Sequence, residues 1–200
     1  MNKSNITLII ITILLIFILL QYRCMCLKFN SPNKLILNYC NLPCASLTHR
    51  VVINFTTTQE KIQSLKPFLN SILDQTVKVD QIALNILPKK YNIPEWYNDV
   101  LNIFRSGKDY GPGMNILPAL TREGETDTII ISISSDKLYE KTFIENMVNA
   151  SIDNPNTAFI IDGGMIVKPA FFDPSVLDPN IEIYSKDFIY SKIRTNKQFI

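Results

Sequence analysis

The alternation of apolar and polar positions divides the chain into three stretches. From Ile6 to Leu20 no charge occurs, and only Thr7 and Thr12 interrupt the aliphatic residues. Residues 22–48 mix Asn, Pro, Ser and Lys with little periodicity and read as a stem. A regular rhythm then begins. Val51 to Phe55 is a short apolar run suited to a buried strand, and Glu60 to Gln75 places Ile62, Leu65, Phe68, Leu69, Ile72 and Leu73 at helical spacing. Gln81 to Leu87 alternates as a strand and Pro88 ends it. Pro94 to Val100 is a short helix with Pro at its start, and Leu101 to Phe104 a third strand. Met114 to Arg122 is a short helix after a Gly/Pro turn. Thr128 to Ile133 is an aliphatic strand, Tyr139 to Ala150 a helix, and Ala158 to Ile161 a further strand.

Strands alternating with helices predict right-handed βαβ units and an α/β domain with a mostly parallel sheet covered on both faces. Ligands of such sheets sit beyond the carboxyl ends of the strands. That directs attention to Thr56-Thr57-Thr58, to Gly107–Gly113 and to Ser134-Ser135-Asp136. The predicted organisation is an N-terminal hydrophobic anchor over 1–22, a cysteine-bearing stem over 23–48 and one domain over 49–200.

The apolar run of about 15 residues lies at the short edge of what spans a bilayer core. A cleaved signal peptide is the rival, but cleavage needs small residues after the run, and Gln21, Tyr22 and Arg23 follow it. A retained single-pass anchor is therefore expected. Lys3 precedes the run while Arg23, Lys28 and Lys34 follow it, a count that leans towards a cytoplasmic domain. All four cysteines, Cys24, Cys26, Cys40 and Cys44, fall in the stem. An oxidising lumen allows disulfides there, and a cytoplasmic setting makes Cys24 and Cys26 palmitoylation candidates. One histidine and this cysteine spacing argue against zinc.

Hydrophobic residues make up 46% and charged residues 19%, enough apolar material for a packed core. The net charge of +2 is spread along the chain, with no Lys/Arg cluster that reads as a nucleic-acid face.

Several segments, in order, resemble a group of family-two-like glycosyltransferases over about residues 50 to 195. They are N-F-T-T-T-Q-E-K-I (Asn54 to Ile62), S-I-L-D-Q (Ser71 to Gln75), I-A-L-N-I-L-P (Ile82 to Pro88) and D-Y-G-P-G-M-N-I-L-P-A-L (Asp109 to Leu120). After them come I-I-I-S-I-S-S-D-K-L-Y (Ile129 to Tyr139), G-G-M-I-V-K-P-A-F-F-D (Gly163 to Asp173) and S-K-D-F-I-Y-S-K (Ser185 to Lys192). The resemblance implies a Rossmann-like GT-A domain that binds a nucleotide-sugar, with Mn²⁺ or Mg²⁺ held against the diphosphate. It places Thr56, Thr57, Asp109, Tyr110, Asn115, Ser134 and Ser135 around the donor, Asp136 on the metal and Asp187 as the base. The anchor, stem and domain layout, shared with membrane-bound members, raises the luminal option, so sidedness stays open with the secretory pathway or an envelope favoured.

The sequence departs from the family pattern where charge matters. The acidic triplet reads Ser134-Ser135-Asp136, and hydroxyls are weaker ligands than carboxylates for a hard dication, so a weak metal site is expected. Asn115 and Lys61 stand at the family's basic and arginine positions, and Lys186 replaces the second acid, leaving Asp187 alone. Each residue also has a plainer reading. Asp136 is then a helix-start acid, Asp109 a turn residue, Asp187 a surface acid, Thr56 and Thr57 strand-end residues, and His49 a solvated side chain. The expected function is a membrane-anchored, glycosyltransferase-like protein that uses or binds a nucleotide-sugar. A non-catalytic membrane or envelope protein that uses the scaffold for partner contacts is the alternative.

Overall fold

The computed structural model describes residues 3–88, 91–124, 127–178, 180–182 and 184–200. It is an α/β protein built on one sheet of seven strands in the order β3-β2-β1-β4-β6-β5-β7. The strands are β1 (Val51–Thr56), β2 (Gln81–Ile86), β3 (Asn102–Arg105), β4 (Ile129–Ser132), β5 (Thr157–Ile161), β6 (Gly164–Val167) and β7 (Asn196–Phe199). β3, β2, β1 and β4 run parallel. β6 is antiparallel to both β4 and β5, and β7 is parallel to β5. The parallel half carries the β-branched runs, because strands covered on both faces need apolar side chains on both.

Alternate residues of the strands feed two cores. On one face Ile53, Phe55, Leu84, Ile86 and Ile131 pack under α3 (Lys66–Leu73), whose Phe68, Leu69 and Ile72 are buried, and under α5 (Phe143–Asp153) with Ile144 and Val148. On the other, Ile130, Ile160, Met165 and Val167 meet Leu117 and Leu120 of α4 (Leu117–Arg122) and Ile189 of α6 (Lys186–Ser191).

The strand positions follow the sequence pattern to within a residue or two, whereas three helical expectations change. The helix expected over Glu60 to Gln75 is a 3-10 turn, Ile62–Ser64, followed by α3. Pro67, in the first turn of α3, has no N–H to donate backwards, so the α-helical ladder starts there. The helix expected from Tyr139 begins at Phe143, because residues 134–142 are used otherwise. The Tyr139 N–H donates to Ser71 Oγ at 3.2 Å, and Gln75 Oε1 accepts the Ile144 N–H at 3.0 Å. The helix expected over Met114 to Arg122 divides into a 3-10 turn, Gly111–Asn115, and α4.

The stretch read as a stem is folded onto the domain. α1 (Lys3–Phe29) continues past the apolar run, and α2 (Pro32–Cys40) returns beside it. Leu27, Leu35 and Tyr39 are buried. Asn70 of α3 donates to the carbonyls of Leu27 at 2.7 Å and Asn30 at 3.3 Å, while Arg23 reaches the Tyr139 carbonyl at 3.0 Å and Asp74 at 3.4 Å. Upstream of Gln21 the aliphatic side chains described on α1 are exposed, and Leu8–Phe29 is long and apolar enough to cross a membrane, with mean hydropathy 2.4. The four cysteines are free thiols. His49, expected to be solvated, is largely covered, with Nε2 2.9 Å from Asp127 Oδ2.

Candidate functional site

The carboxyl ends of β1, β2 and β4 open into a cleft of about 470 Å³. Its lining gathers residues far apart in sequence: Thr56 to Lys61 after β1, Leu87 and Tyr91 after β2, Asp109, Gly111, Met114 and Asn115, and Ser134 to Asp136 after β4. Six of the expected donor-side residues (Thr56, Thr57, Asp109, Asn115, Ser134, Ser135) therefore meet in one place, together with Asp136.

Their local bonds differ. Thr56 Oγ1 donates to the Asn85 carbonyl at 2.7 Å, so this hydroxyl ties β1 to β2. Ser135 Oγ donates to the Thr56 carbonyl at 3.1 Å, drawing the loop after β4 against the end of β1. Asp109 Oδ1 accepts the Gly111 N–H at 2.8 Å, the local turn bond expected of it, and Gly111 takes φ +52°. Asp136 lies in a turn rather than at a helix start. Its two carboxylate oxygens accept from Lys61 Nζ at 2.9 and 3.0 Å, across the mouth of the cleft.

Tyr139 holds the Ser134 to Asp136 turn from behind. Its hydroxyl accepts the Ser134 N–H at 3.1 Å and donates to the Ser134 carbonyl at 3.0 Å. Burial pushes this phenol up to about 12, so it stays protonated and can do both at once.

Two side-chain atoms of lining residues, Thr57 Oγ1 and Asn115 Oδ1, are buried without a hydrogen-bond partner among the described residues. A buried polar atom left unpaired costs about 1–3 kcal/mol.

The floor beneath Asn115 rests on residues that the sequence reading left aside. Asn85 Nδ2 donates to Asn54 Oδ1 at 2.7 Å, and both asparagines are fully buried in neighbouring strands. Asn54 Nδ2 donates in turn to the Asn115 carbonyl, which also accepts from Ser132 Oγ at 2.8 Å. Arg122 reaches Asn54 Oδ1 at 3.2 Å and Asn85 Oδ1 at 3.3 Å, with its guanidinium 4.0 Å above the Phe104 ring. Burial pulls the Arg122 guanidinium below its usual range, and Glu123 beside it works in the other direction. The signal was present in the sequence: a polar Asn inside V-V-I-N-F and A-L-N-I, where strand neighbours are apolar.

Two expected residues stand apart. Tyr110 lines a neighbouring hollow with Phe104 and Arg122, and its ring meets Tyr184 edge-on at 5.3 Å. Asp187 is exposed in the first turn of α6 and is not part of the cleft lining.

The chain matches no protein-family model and no curated protein.

The residues at the cleft do not fit a resident Mn²⁺ or Mg²⁺. Such ions take several hard oxygen ligands, charged ones foremost. Among the described residues no group of three or more His, Cys, Asp or Glu is placed to hold one. The acidic position of the loop offers Asp136 and two neutral hydroxyls, and the Asp136 charge is already met by Lys61.

Proposed function

We propose that the cleft binds a nucleotide-sugar without a divalent cation, on a GT-A-like domain attached to a membrane by α1. The observation that carries this reading is the convergence of Thr57, Asp109, Asn115, Ser134, Ser135 and Lys61 on one cleft at the carboxyl ends of parallel strands. In α/β sheets that place suits nucleotides, and the order of segments resembling glycosyltransferases agrees with it. Lys61 supplies positive charge of the kind a diphosphate needs, at the mouth of the cleft. A ligand phosphate would take over the Lys61 ammonium from Asp136. Asp187 lies outside the lining, whose carboxylates are Glu60, Asp109 and Asp136; Asp109 is held by its turn bond to Gly111 and Asp136 is paired with Lys61. The reading is therefore of a binding protein rather than a metal-dependent transferase. Retention of α1 is supported by its unbroken run from the apolar segment into the docked turns at Arg23 and Leu27.

Calorimetric titration of the detergent-solubilised full chain with UDP- and GDP-sugars tests this. Binding should persist in excess chelator and weaken about tenfold or more in Lys61→Ala, the loss expected for a charge-assisted hydrogen bond. Absence of binding to every such sugar, or binding that needs Mn²⁺, overturns it.

A further inference from the structure

The direction in which α1 leaves the domain bears on which ligands reach the cleft. The parallel strands run from a base, marked by Val51, Gln81 and Ile129, to the cleft at Thr56, Leu87 and Ser134. α3 follows β1 and precedes β2, so it runs back from the cleft end towards the base. α1 lies antiparallel to α3: Arg23 bonds to Asp74, and Leu27, one turn later, bonds to Asn70, one turn earlier. Upstream of Arg23, α1 therefore projects beyond the base, on the side opposite the cleft.

The helix has no slack to change this. At about 1.5 Å per residue, α1 rises about 30 Å from Lys3 to Arg23, roughly the thickness of a bilayer's hydrocarbon core. Arg23 is the first charged residue after the uncharged apolar run, and Arg23 is itself bonded to the domain. The base must then rest on the headgroups. Its chemistry fits that position. The loop before β1, tied down by His49 to Asp127 and by the Ala45 N–H to the Lys78 carbonyl, presents Leu47 at 96% exposure. Tyr22, Met25 and Phe29, also exposed, continue the apolar surface of α1 along one side, about one turn apart.

We infer that the base of the domain is seated on the bilayer surface and that the cleft opens away from it. The ligands of the cleft are accordingly water-soluble molecules, or groups displayed into the aqueous phase, and not headgroups of the membrane that holds the protein. The strands alone set the cleft about 17 Å above the base. The inference rests on the membrane reading of α1 and defines the ligand class of the proposed nucleotide-sugar site.

The test uses the full chain in liposomes and needs no ligand, so its outcome is separate from that of the sugar titration. Cys24, Cys26, Cys40 and Cys44 are replaced by alanine, and a fluorophore is placed at Leu47→Cys or at Gln59→Cys on the cleft rim. With headgroup-nitroxide lipids, the Leu47 probe should be quenched severalfold and the Gln59 probe left within error. Equal quenching at the two positions, or none at Leu47, overturns the inference. As a check on the unsubstituted chain, a headgroup-diazirine lipid should crosslink within residues 41–48 and not within 57–61. Crosslinks at 57–61 would overturn it equally.

Discussion

Asp173 shows how a single half-buried side chain joins the turn after β6 to the segment that leads into β7. Its Oδ1 accepts the Ser175 N–H at 2.8 Å, capping the 3-10 turn Pro174–Leu177, and its Oδ2 accepts from Arg194 Nε at 3.0 Å. The Ser175 amide first, and the Arg194 guanidinium with it, hold this carboxyl down to about 2. A folded value below the unfolded one, near 3.9, means the stabilisation is complete above about pH 4 and is lost as pH falls towards 2. Asp173→Asn keeps an acceptor for Ser175 but cannot titrate. Urea unfolding between pH 5 and pH 2 should therefore show a shallower acid decline in the variant than in the parent protein. At this scale the sequence was only partly readable. Asp109 behaves as its turn context suggested. Asn54, Asn85 and Arg122 escaped notice because their role exists only once β1, β2 and α4 are brought together.

Among the elements, the hairpin of β5 and β6 depends on a pair of glycines. Gly163 takes φ +84°, and a Cβ there would come within 2.9 Å of Ser134 Cβ, in the turn that borders the cleft. At Gly164 a Cβ would stand 1.9 Å from the Ser132 carbonyl oxygen, so β6 can lie against β4 only without a side chain. Gly164→Ala should lower the stability by about 3 kcal/mol or more, an overpacking cost against backbone that cannot yield, read as a fall in the thermal midpoint. The element pattern itself was legible for β1, β2, β4 and β5, whose apolar runs are long and bounded by Pro, Gly or polar turns. β6 and β7 were not: β6 hides within a four-residue stretch after the glycines, and β7, N-K-Q-F, is exposed along its length and carries no hydrophobic signal. α2 was missed because its sequence, P-N-K-L-I-L-N-Y-C, gives only Leu35 and Tyr39 to the interior.

For the molecule as a whole, the boundary between attachment and domain lies earlier than the sequence suggested. The end of α1 and the whole of α2 cover the outer face of α3, burying Leu27, Leu35 and Tyr39, and Tyr39 Oη accepts the Val79 N–H at 2.9 Å. Burial of a Leu side chain is worth about 1.5–3 kcal/mol. A soluble fragment beginning at Gln21 should accordingly be about 3–5 kcal/mol more stable to urea than one beginning at Ala45. Equal stability would mean that α2 and the end of α1 contribute nothing to the fold.

The Lys61 to Asp136 contact at the mouth of the cleft joins two side chains that are both more than half exposed. Ion pairs in that setting contribute under about 1 kcal/mol, and at physiological ionic strength their field decays over about 8 Å. Such a latch sits near balance: ordinary changes in salt part it, and an arriving anion exchanges for Asp136 at little cost. Behind Asn115, the buried amides of Asn54 and Asn85 hydrogen-bond between neighbouring strands, out of reach of that screening. The contact at the cleft entrance therefore responds to the ionic strength of the medium, while the amide pair behind it does not.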